Sequence, residues 1–321
     1  MNNYLCSPAP SPWVKEGSRD VMMKTPGSDM KLRILLSYWY FRNEDMDALM
    51  ETYFPTNRPD IFADSGAFSA MTQGGEVNLV EYAAWLKRWK HLFKVYANLD
   101  VIMDAQTTWN NQQYLEDLGL APLPCFHVRE DWKWLEKYLD SYEYVALGIA
   151  GMHARKREVR AWLTRCFQLA QGRARYHGFA MTTWDIMRDF PWGSVDSSSW
   201  AAGFRYGRVP VFSPEEGKFY HARLGEQADW QGLEKLLHWY GFDILAFVDR
   251  EKNTRRDIIL LSALSYMQAE IWLRKRWAST IETYKCDNYI EHFTIANEIY
   301  LCDPTSSLTD IRQVAKRLNY E

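Results

Sequence analysis

The sequence predicts an α/β fold, a (β/α)8 TIM barrel with an irregular N-terminal arm and a C-terminal helical extension. Short apolar runs alternate along the chain with segments of helical periodicity. Most of these runs end in a polar residue or a glycine, as at Asp64, Asp100, His127, Gly148 and Asp196. Because the carboxyl ends of barrel strands meet at one mouth, we expect these residues to share one site, and an enzyme is the first hypothesis.

The chain divides into three predicted parts. Residues 1–29 are rich in proline, which disfavours regular structure, and are expected to form the irregular arm. Residues 30–280 are expected to form the barrel, and residues 281–321 the C-terminal extension. The alternation of strands and helices accounts for the barrel without an internal repeat.

Buried strands are predicted where aliphatic and aromatic residues dominate. In the first half of the barrel these are residues 32–40, 59–63, 95–103, 123–128 and 144–149. Aromatic residues recur at helical spacing from Tyr82 to Phe93, with basic residues on the other face, which indicates an amphipathic helix before the third strand. Two further helices are predicted, one that ends at Gly119 and one that begins at Asp131.

The second half of the barrel continues the alternation. A basic helix at residues 154–171 precedes the sixth predicted strand at 175–181. The short run 194–196 predicts the seventh strand, and the serines that follow it form a polar turn suited to a small polar ligand. The apolar run 242–248 predicts the eighth strand, and residues 257–278 predict a long closing helix.

Composition restricts the function classes. The formal net charge of −3 argues against a uniformly basic coat for nucleic acid, although the basic clusters at 153–160 and 250–256 are either phosphate-binding patches or solvated helix faces. The chain has five cysteines and no CxxC pair, which is typical of a reducing compartment. No run resembles a secretory signal or a membrane span, so we expect a cytoplasmic protein without a membrane partner.

Two carboxylates at strand ends suggest covalent chemistry. Asp64 and Asp196 end the second and seventh predicted strands, so in a barrel one can attack an electrophilic carbon while the other moves protons. An isolated aspartate at a strand end is equally a helix cap or a turn former. His127 and His177 are either ligand-binding residues or satisfied core histidines.

Motifs for other chemistries are missing from the sequence. It contains no GxGxxG, GxxxxGK[ST], HExxH or GxSxG pattern, so neither a nucleotide cofactor nor zincin or hydrolase chemistry is expected. Cys286, His292 and Cys302 are the candidates for a zinc site, but their spacing is irregular and a fourth ligand is lacking. We therefore predict no metal and no cofactor.

Several strand-end motifs together resemble a known family. They are DSGAF at 64–68, NLDVIMD at 98–104, ALGIAG at 146–151, and VDSSSW at 195–200 followed by FRYGRVPVF at 204–212. In this order they resemble the tRNA-guanine transglycosylases, which are TIM barrels. The match is closer to the bacteriophage branch that inserts 7-deazaguanines into DNA. The resemblance covers residues 30–212 and implies exchange of guanine for a 7-deazaguanine base such as preQ0.

The resemblance also implies a role for each matching residue. Asp196 corresponds to the nucleophile that attacks C1′ of the sugar, and Asp64 to the general acid/base. Asp100, or else Asp104, corresponds to the aspartate that binds the amidine edge of the purine. Further expected substrate-binding residues are Ser65, Gly66, Phe68, His127, Gly148, Gly151, His177 and Ser197, and the expected nucleic-acid-binding residues are Arg205 and Arg208.

Departures from the family pattern bear on whether the substrate polymer is DNA or tRNA. Ala67 replaces a second glycine, Tyr206 replaces the asparagine of an RNG segment, and the glycine-rich stretch lacks its terminal glutamate. No CxCxxC…H zinc module follows the predicted barrel, which favours DNA over tRNA. The alternatives are a tRNA enzyme, a catalytically silent nucleic-acid-binding partner subunit, and a hydrolytic DNA glycosylase. If the chain is phage-encoded, we expect it in the host cytoplasm.

Overall fold

The computed structural model describes residues 32–149, 156–249, 251–284, 298–302 and 308–317. The predicted N-terminal arm and Gly151 lie outside these ranges. The strands are β1 (Arg33–Ser37), β2 (Asp60–Asp64), β3 (Phe93–Tyr96), β4 (Cys125–His127), β5 (Tyr144–Gly148), β6 (Arg175–Gly178), β7 (Ser194–Ser197), β8 (Arg208–Ser213), β9 (Lys218–Arg223) and β10 (Glu298–Cys302).

Helices follow most strands of the main sheet. They are α1 (Tyr38–Phe41), α2 (Met46–Tyr53), α3 (Ala67–Thr72), α4 (Leu79–Trp89), α5 (Ala105–Asp117), α6 (Trp132–Leu139), α7 (Lys156–Ala170), α8 (Trp184–Asp189), α9 (Ala202–Tyr206), α10 (Gln227–Trp230), α11 (Glu234–Trp239), α12 (Leu245–Val248), α13 (Arg255–Tyr284) and α14 (Thr309–Arg317), with a 3-10 turn at Ser199–Ala201. Among the described residues, no helix is both long and apolar enough to cross a membrane.

In the described part of the chain, eight strands form one parallel sheet in the order β3-β2-β1-β10-β7-β6-β5-β4. Next to its two outer strands, an isolated parallel bridge joins Ala97 to Leu123. Two backbone hydrogen bonds support the bridge, from Asn98 N to Leu123 O at 2.9 Å and from Leu123 N to Tyr96 O at 2.8 Å. The sheet is therefore curled and resembles a TIM barrel, which confirms the predicted class of alternating parallel α/β fold.

The eighth strand was predicted in the wrong place. Residues 245–248 of the predicted strand form α12, because the Asp243 side chain accepts a hydrogen bond from Leu245 N at 2.9 Å and starts a helical turn. A short apolar run does not by itself distinguish a strand from a buried helical turn. The place between β1 and β7 is taken instead by β10, from the segment assigned to the C-terminal extension.

Other predicted bounds also shift. The third strand is shorter than predicted, since β3 ends at Tyr96 and Asp100 lies in the loop that follows it. Phe93, predicted at the end of the amphipathic helix, begins β3. The sequence also gave no sign of the antiparallel hairpin formed by β8 and β9. Its turn requires Gly217, because this residue has a φ of 62° and a Cβ there would lie 2.5 Å from the Trp272 ring.

Alternation along the strands separates two apolar layers. Ile34, Ile61 and Val145 belong to the larger layer, which packs between the sheet and the helices. Leu35, Phe62, Cys125, Ala146 and Tyr300 form a smaller cluster from alternate positions on the strands, which therefore lies on the concave side of the sheet. The side chains that follow this second cluster along the strands are brought to the carboxyl edge of the sheet.

Candidate active site

Polar side chains collect at the carboxyl edge of the parallel sheet. Asp64 ends β2, His127 ends β4, Gly148 ends β5 and Cys302 ends β10. Asp196 is the next-to-last residue of β7, and its backbone pairs with Tyr300. Because all these strands run in the same direction, their ends bring the residues to one edge, as in barrel active sites.

Asp64 lies in a tight turn between β2 and α3. Its Oδ2 accepts a hydrogen bond from Gly66 N at 3.0 Å. Gly66 has a left-handed φ of 73°, and a Cβ there would lie 2.2 Å from Ser37 Oγ, so the turn requires glycine. Burial raises the pKa of Asp64 to about 7, with help from the charges of Asp100 and Asp196. Asp64 can therefore gain and lose a proton near neutral pH.

Asp196 is held by donors on both carboxylate oxygens. Its side chain is buried, and Oδ1 accepts a hydrogen bond from Ala180 N at 3.1 Å. Ala180 has a left-handed φ of 57°, which is unusual for alanine. The Cys302 thiol donates to Oδ2 over 2.9 Å, and His177 Nε2 lies 3.3 Å from Oδ1. These contacts fix the orientation of the carboxylate.

Asp100 is connected to β4 through His127. Asp100 Oδ2 lies 2.7 Å from His127 Nε2, and the Cys125 thiol lies 3.4 Å from the same nitrogen. Burial lowers the pKa of His127, but Cys125 and the Asp100 carboxylate outweigh it, so this pKa is well above its ordinary value. Burial raises the pKa of Cys125 to about 11.

Gly148 provides the space that the His127 ring occupies. A Cβ at Gly148 would lie 2.5 Å from His127 Cε1 and Nδ1. The backbone of the neighbouring strand can therefore approach the imidazole only because residue 148 has no side chain. The sequence predicts that Gly148 contacts a substrate base; in the structure its immediate neighbour is the ring beside Asp100.

Among the described residues, three side chains near this edge lie close enough together to hold one metal ion. The ligand atoms of Asp100, Cys125 and His127 all lie within 4.8 Å of one another. Carboxylate, thiolate and imidazole together suit zinc. His127 Nε2 already contacts both partners, so the three side chains also form a hydrogen-bonded cluster, while Nδ1 has no hydrogen-bond partner among the described residues. Of the zinc candidates named from the sequence, Cys286 and His292 lie outside the described residues, and Cys302 binds Asp196.

The remaining predicted residues differ in their exposure and in their position on the strands and helices. Ser65 is buried beside Asp64, while Phe68 is half exposed on α3. Asp104 is exposed and caps α5, since its side chain accepts from Thr107 N at 3.0 Å; this bond and the Thr107 hydroxyl lower its pKa. The other positions are Ser197 at the end of β7, Arg205 near the end of α9 and Arg208 at the start of β8.

No model of a protein family matches the chain, and no curated protein is similar to it at a significant level. The side chains at the edge of the sheet are therefore the basis for a functional proposal. Those that sequence reasoning missed are Cys125 and Ser37, and Cys302 was named only as a zinc candidate. Cys125 had a signal, because it stands two residues before His127 on a strand and so faces the same side.

A cleft opens beside Asp100. Ala67 and Met71 of α3 line one part of it, and residues 75–79 and 99–102 line the rest together with Thr107 and Asn111 of α5. The exposed apolar side chains of Phe68, Met71 and Met103 belong to the same α3 helix and Asp100 loop. Flat apolar surface next to a carboxylate suits a planar heterocycle with hydrogen-bond donors on its edge.

Proposed function

We propose that the protein is a (β/α)8 barrel enzyme that replaces guanine in DNA with a 7-deazaguanine base through a covalent aspartyl-glycosyl intermediate. The observation that carries this proposal is the pairing of Asp64, whose pKa is about 7, with Asp196, whose carboxylate is fixed by donors. Different environments for two carboxylates at one site indicate different roles. The resemblance of the strand-end motifs supplies the substrate class.

In the first step, an Asp196 oxygen attacks C1′ of the target nucleotide. A C1′–O ester bond forms while the C1′–N9 bond breaks, and the bonding electrons leave with guanine. Asp64, protonated in part at neutral pH, gives its proton to the departing base. Asp64 is then the carboxylate that the second step needs.

In the second step, the 7-deazaguanine takes the place of guanine. Asp64 accepts the proton from N9 of the incoming base, N9 attacks C1′, and the ester bond to Asp196 breaks. Two displacements at the same carbon retain its configuration. The enzyme returns to its starting protonation state, so the exchange needs no redox or nucleotide cofactor.

Base recognition falls to Asp100. A carboxylate accepts hydrogen bonds from the amino and ring N–H groups of the guanine amidine edge. His127 holds Oδ2 of Asp100 at 2.7 Å, which orients the carboxylate. The adjoining cleft, with Ala67 and Met71 at its α3 side, supplies apolar surface on which a base can stack, and Phe68 is exposed on the same helix.

The hairpin is the proposed contact with the polymer. Arg208, Tyr220, His221 and Arg223 line a groove on β8 and β9 together with Asp229, and Arg205 lies just before it. Arginine and tyrosine side chains bind phosphates and stack on bases. A target guanine in duplex DNA must leave the base stack to reach Asp196. The proposed location is the cytoplasm, where thiols such as Cys125 stay reduced.

The test is a base-exchange assay. Purified protein is incubated with preQ0 and either guanine-containing duplex DNA or tRNA, and the digested nucleosides are analysed by mass spectrometry. We expect a 7-deazaguanine deoxynucleoside with the wild type and none with Asp196→Ala. Asp140→Asn, an exposed carboxylate paired with Arg173, is the control.

Each other outcome identifies an alternative. Modification of tRNA alone would mean that the chemistry is right and the polymer wrong. Release of guanine without an acceptor base would indicate a hydrolytic glycosylase. Binding of DNA without any chemical change would indicate a silent partner subunit and refute the proposal.

A further inference from the structure

His177, one of the expected substrate-binding residues, lies below the candidate site. The side chain is fully buried. Its ring centroid is 4.5 Å from that of Phe62 and 4.7 Å from that of Phe179. Tyr300 approaches from another side, with centroids 6.2 Å apart. Aromatic rings therefore surround the imidazole, and no face is left for a substrate base.

A line of hydrogen bonds leads to this ring through the concave side of the sheet. Tyr144, at the start of β5, places its hydroxyl 2.5 Å from Ser194 Oγ. Ser194, at the start of β7, places the same oxygen 2.5 Å from His177 Nδ1. On the other side of the ring, Nε2 is 3.3 Å from Asp196 Oδ1. Residues from three adjacent strands are thus connected to the proposed nucleophile.

The hydrogens available on these side chains limit which group donates in each hydrogen bond of the line. A serine hydroxyl has one hydrogen, so Ser194 can donate to one neighbour and accept from the other. If Tyr144 donates to Ser194 and Ser194 donates to Nδ1, the neutral imidazole carries its hydrogen on Nε2. That hydrogen then faces a carboxylate oxygen. This arrangement satisfies Ser194 and Nδ1 and keeps the ring uncharged in an aromatic environment, where a charge is costly.

His177 Nε2 is buried and makes no hydrogen bond of good geometry within the described part of the chain. Buried polar atoms without a partner are rare and often mark functional sites. The nearest acceptor is the Asp196 carboxylate. We infer that His177 is a positioning residue that the Tyr144–Ser194 line holds in its Nε2–H form, and that it donates to Asp196 Oδ1 in the reacting state.

This inference assigns the two oxygens of Asp196 separate tasks, and it rests on the proposed role of Asp196 as nucleophile. Oδ1 receives the Ala180 N–H and faces His177, so it remains the carbonyl oxygen when the ester forms. Within the described ranges, Oδ2 receives only the Cys302 thiol, which is a weak donor. Oδ2 is therefore the oxygen that attacks C1′.

The first test needs no substrate. Nitrogen-15 NMR of the full-length protein, labelled at histidine, distinguishes the two neutral tautomers, and His177→Gln identifies the signals of His177. We expect the Nε2–H tautomer in the wild type and in Ser194→Thr, which keeps the hydroxyl. Ser194→Ala should lose this preference. An Nδ1–H tautomer in the wild type, or an unchanged spectrum in Ser194→Ala, would overturn the inference.

The second test uses the base-exchange assay. Ser194→Ala should lower kcat about ten- to a hundred-fold with little change in KM, the effect of losing one hydrogen bond to a charged group. Ser194→Thr should retain most of the activity, and Ser262→Ala, a buried serine on α13, is the matched control. Wild-type kcat in Ser194→Ala would refute a positioning role.

The two tests separate this inference from the proposed function. If no nucleic acid is modified by the wild type, the proposed function fails, while the NMR result still decides whether His177 donates to Asp196. If Ser194→Ala does not fold, Tyr144→Phe takes its place. Tyr144→Phe removes the first donor of the line, so it should weaken the preference of His177 for the Nε2–H tautomer. An unchanged preference would refute the role of the Tyr144–Ser194 line.

Discussion

Replacement of Asp64 by asparagine should stabilise the protein in a way that depends on pH. Burial raises the pKa of Asp64 from 3.8 to about 7. Between these two values, the unfolded chain releases a proton that the folded protein keeps, so the wild type loses stability as the pH rises. Above pH 7 both states are ionised, and the full cost of the buried charge is present.

The size of the effect follows from the pKa difference. Each unit is worth about 1.4 kcal/mol, so the wild type should lose about 4 kcal/mol between acid and alkaline pH through Asp64 alone, and less than half of this by pH 5. Asparagine has nearly the same shape, and its side-chain oxygen can still accept from Gly66 N–H. Asp64→Asn should therefore gain about 2 to 3 kcal/mol relative to the wild type between pH 5 and pH 8.

Urea unfolding at pH 5 and pH 8 measures this difference directly. Asp229→Asn is the control. Arg223 lowers the pKa of Asp229 to about 2, so any stability from that ion pair is already present at pH 5 and should be the same at pH 8. If the free energy of unfolding of Asp64→Asn relative to the wild type is the same at both pH values, Asp64 is not protonated in the folded protein near neutrality, and the acid/base role loses its basis.

Three further predictions concern the same edge of the sheet. Gly148→Ala should reduce the free energy of unfolding by about 1 to 3 kcal/mol, because a Cβ would lie 2.5 Å from the His127 ring; an unchanged urea midpoint would show that the ring can move away. In the base-exchange assay, kcat/KM for DNA should fall as the pH rises through about 7, where Asp64 loses the proton it gives to guanine, and a profile flat from pH 6 to 9 would contradict this role. Treatment with a chelator should leave activity unchanged, since every proposed step uses carboxylates; activity lost and then restored by zinc would assign a metal to Asp100, Cys125 and His127.

The sequence predicted the parallel α/β class and most of the strands, because strands that are buried on both faces appear as short apolar runs between helical segments. The positions of Asp64 and Asp196 at strand ends followed from the same reasoning. The structure then adds what strand ends alone do not contain, namely the partners of each carboxylate. Ala180 and Cys302 are distant from Asp196 in sequence, and only the fold brings them to its oxygens.

The eighth strand was predicted wrongly because two runs of the chain have a similar local pattern. The run at 242–248 and the strand at 298–302 are both short and apolar, so local pattern gave no preference for the correct one. The choice depends on where each run can pair, which is a long-range property. Likewise, His177 was expected to bind the substrate, whereas β6 places its ring in the interior among Phe62, Phe179 and Tyr300.

The placement of β10 has a consequence for how the protein becomes functional during synthesis. This strand is inserted between β1 and β7, although about a hundred residues separate it from β7 in the chain. Until the ribosome has released it, β1 and β7 have no partner on their facing edges, and Asp196 lacks the Cys302 thiol. A nascent or prematurely terminated chain therefore has an incomplete sheet and an incomplete carboxylate environment. Such a chain could fold in part on the ribosome without acquiring the ability to attack nucleic acid.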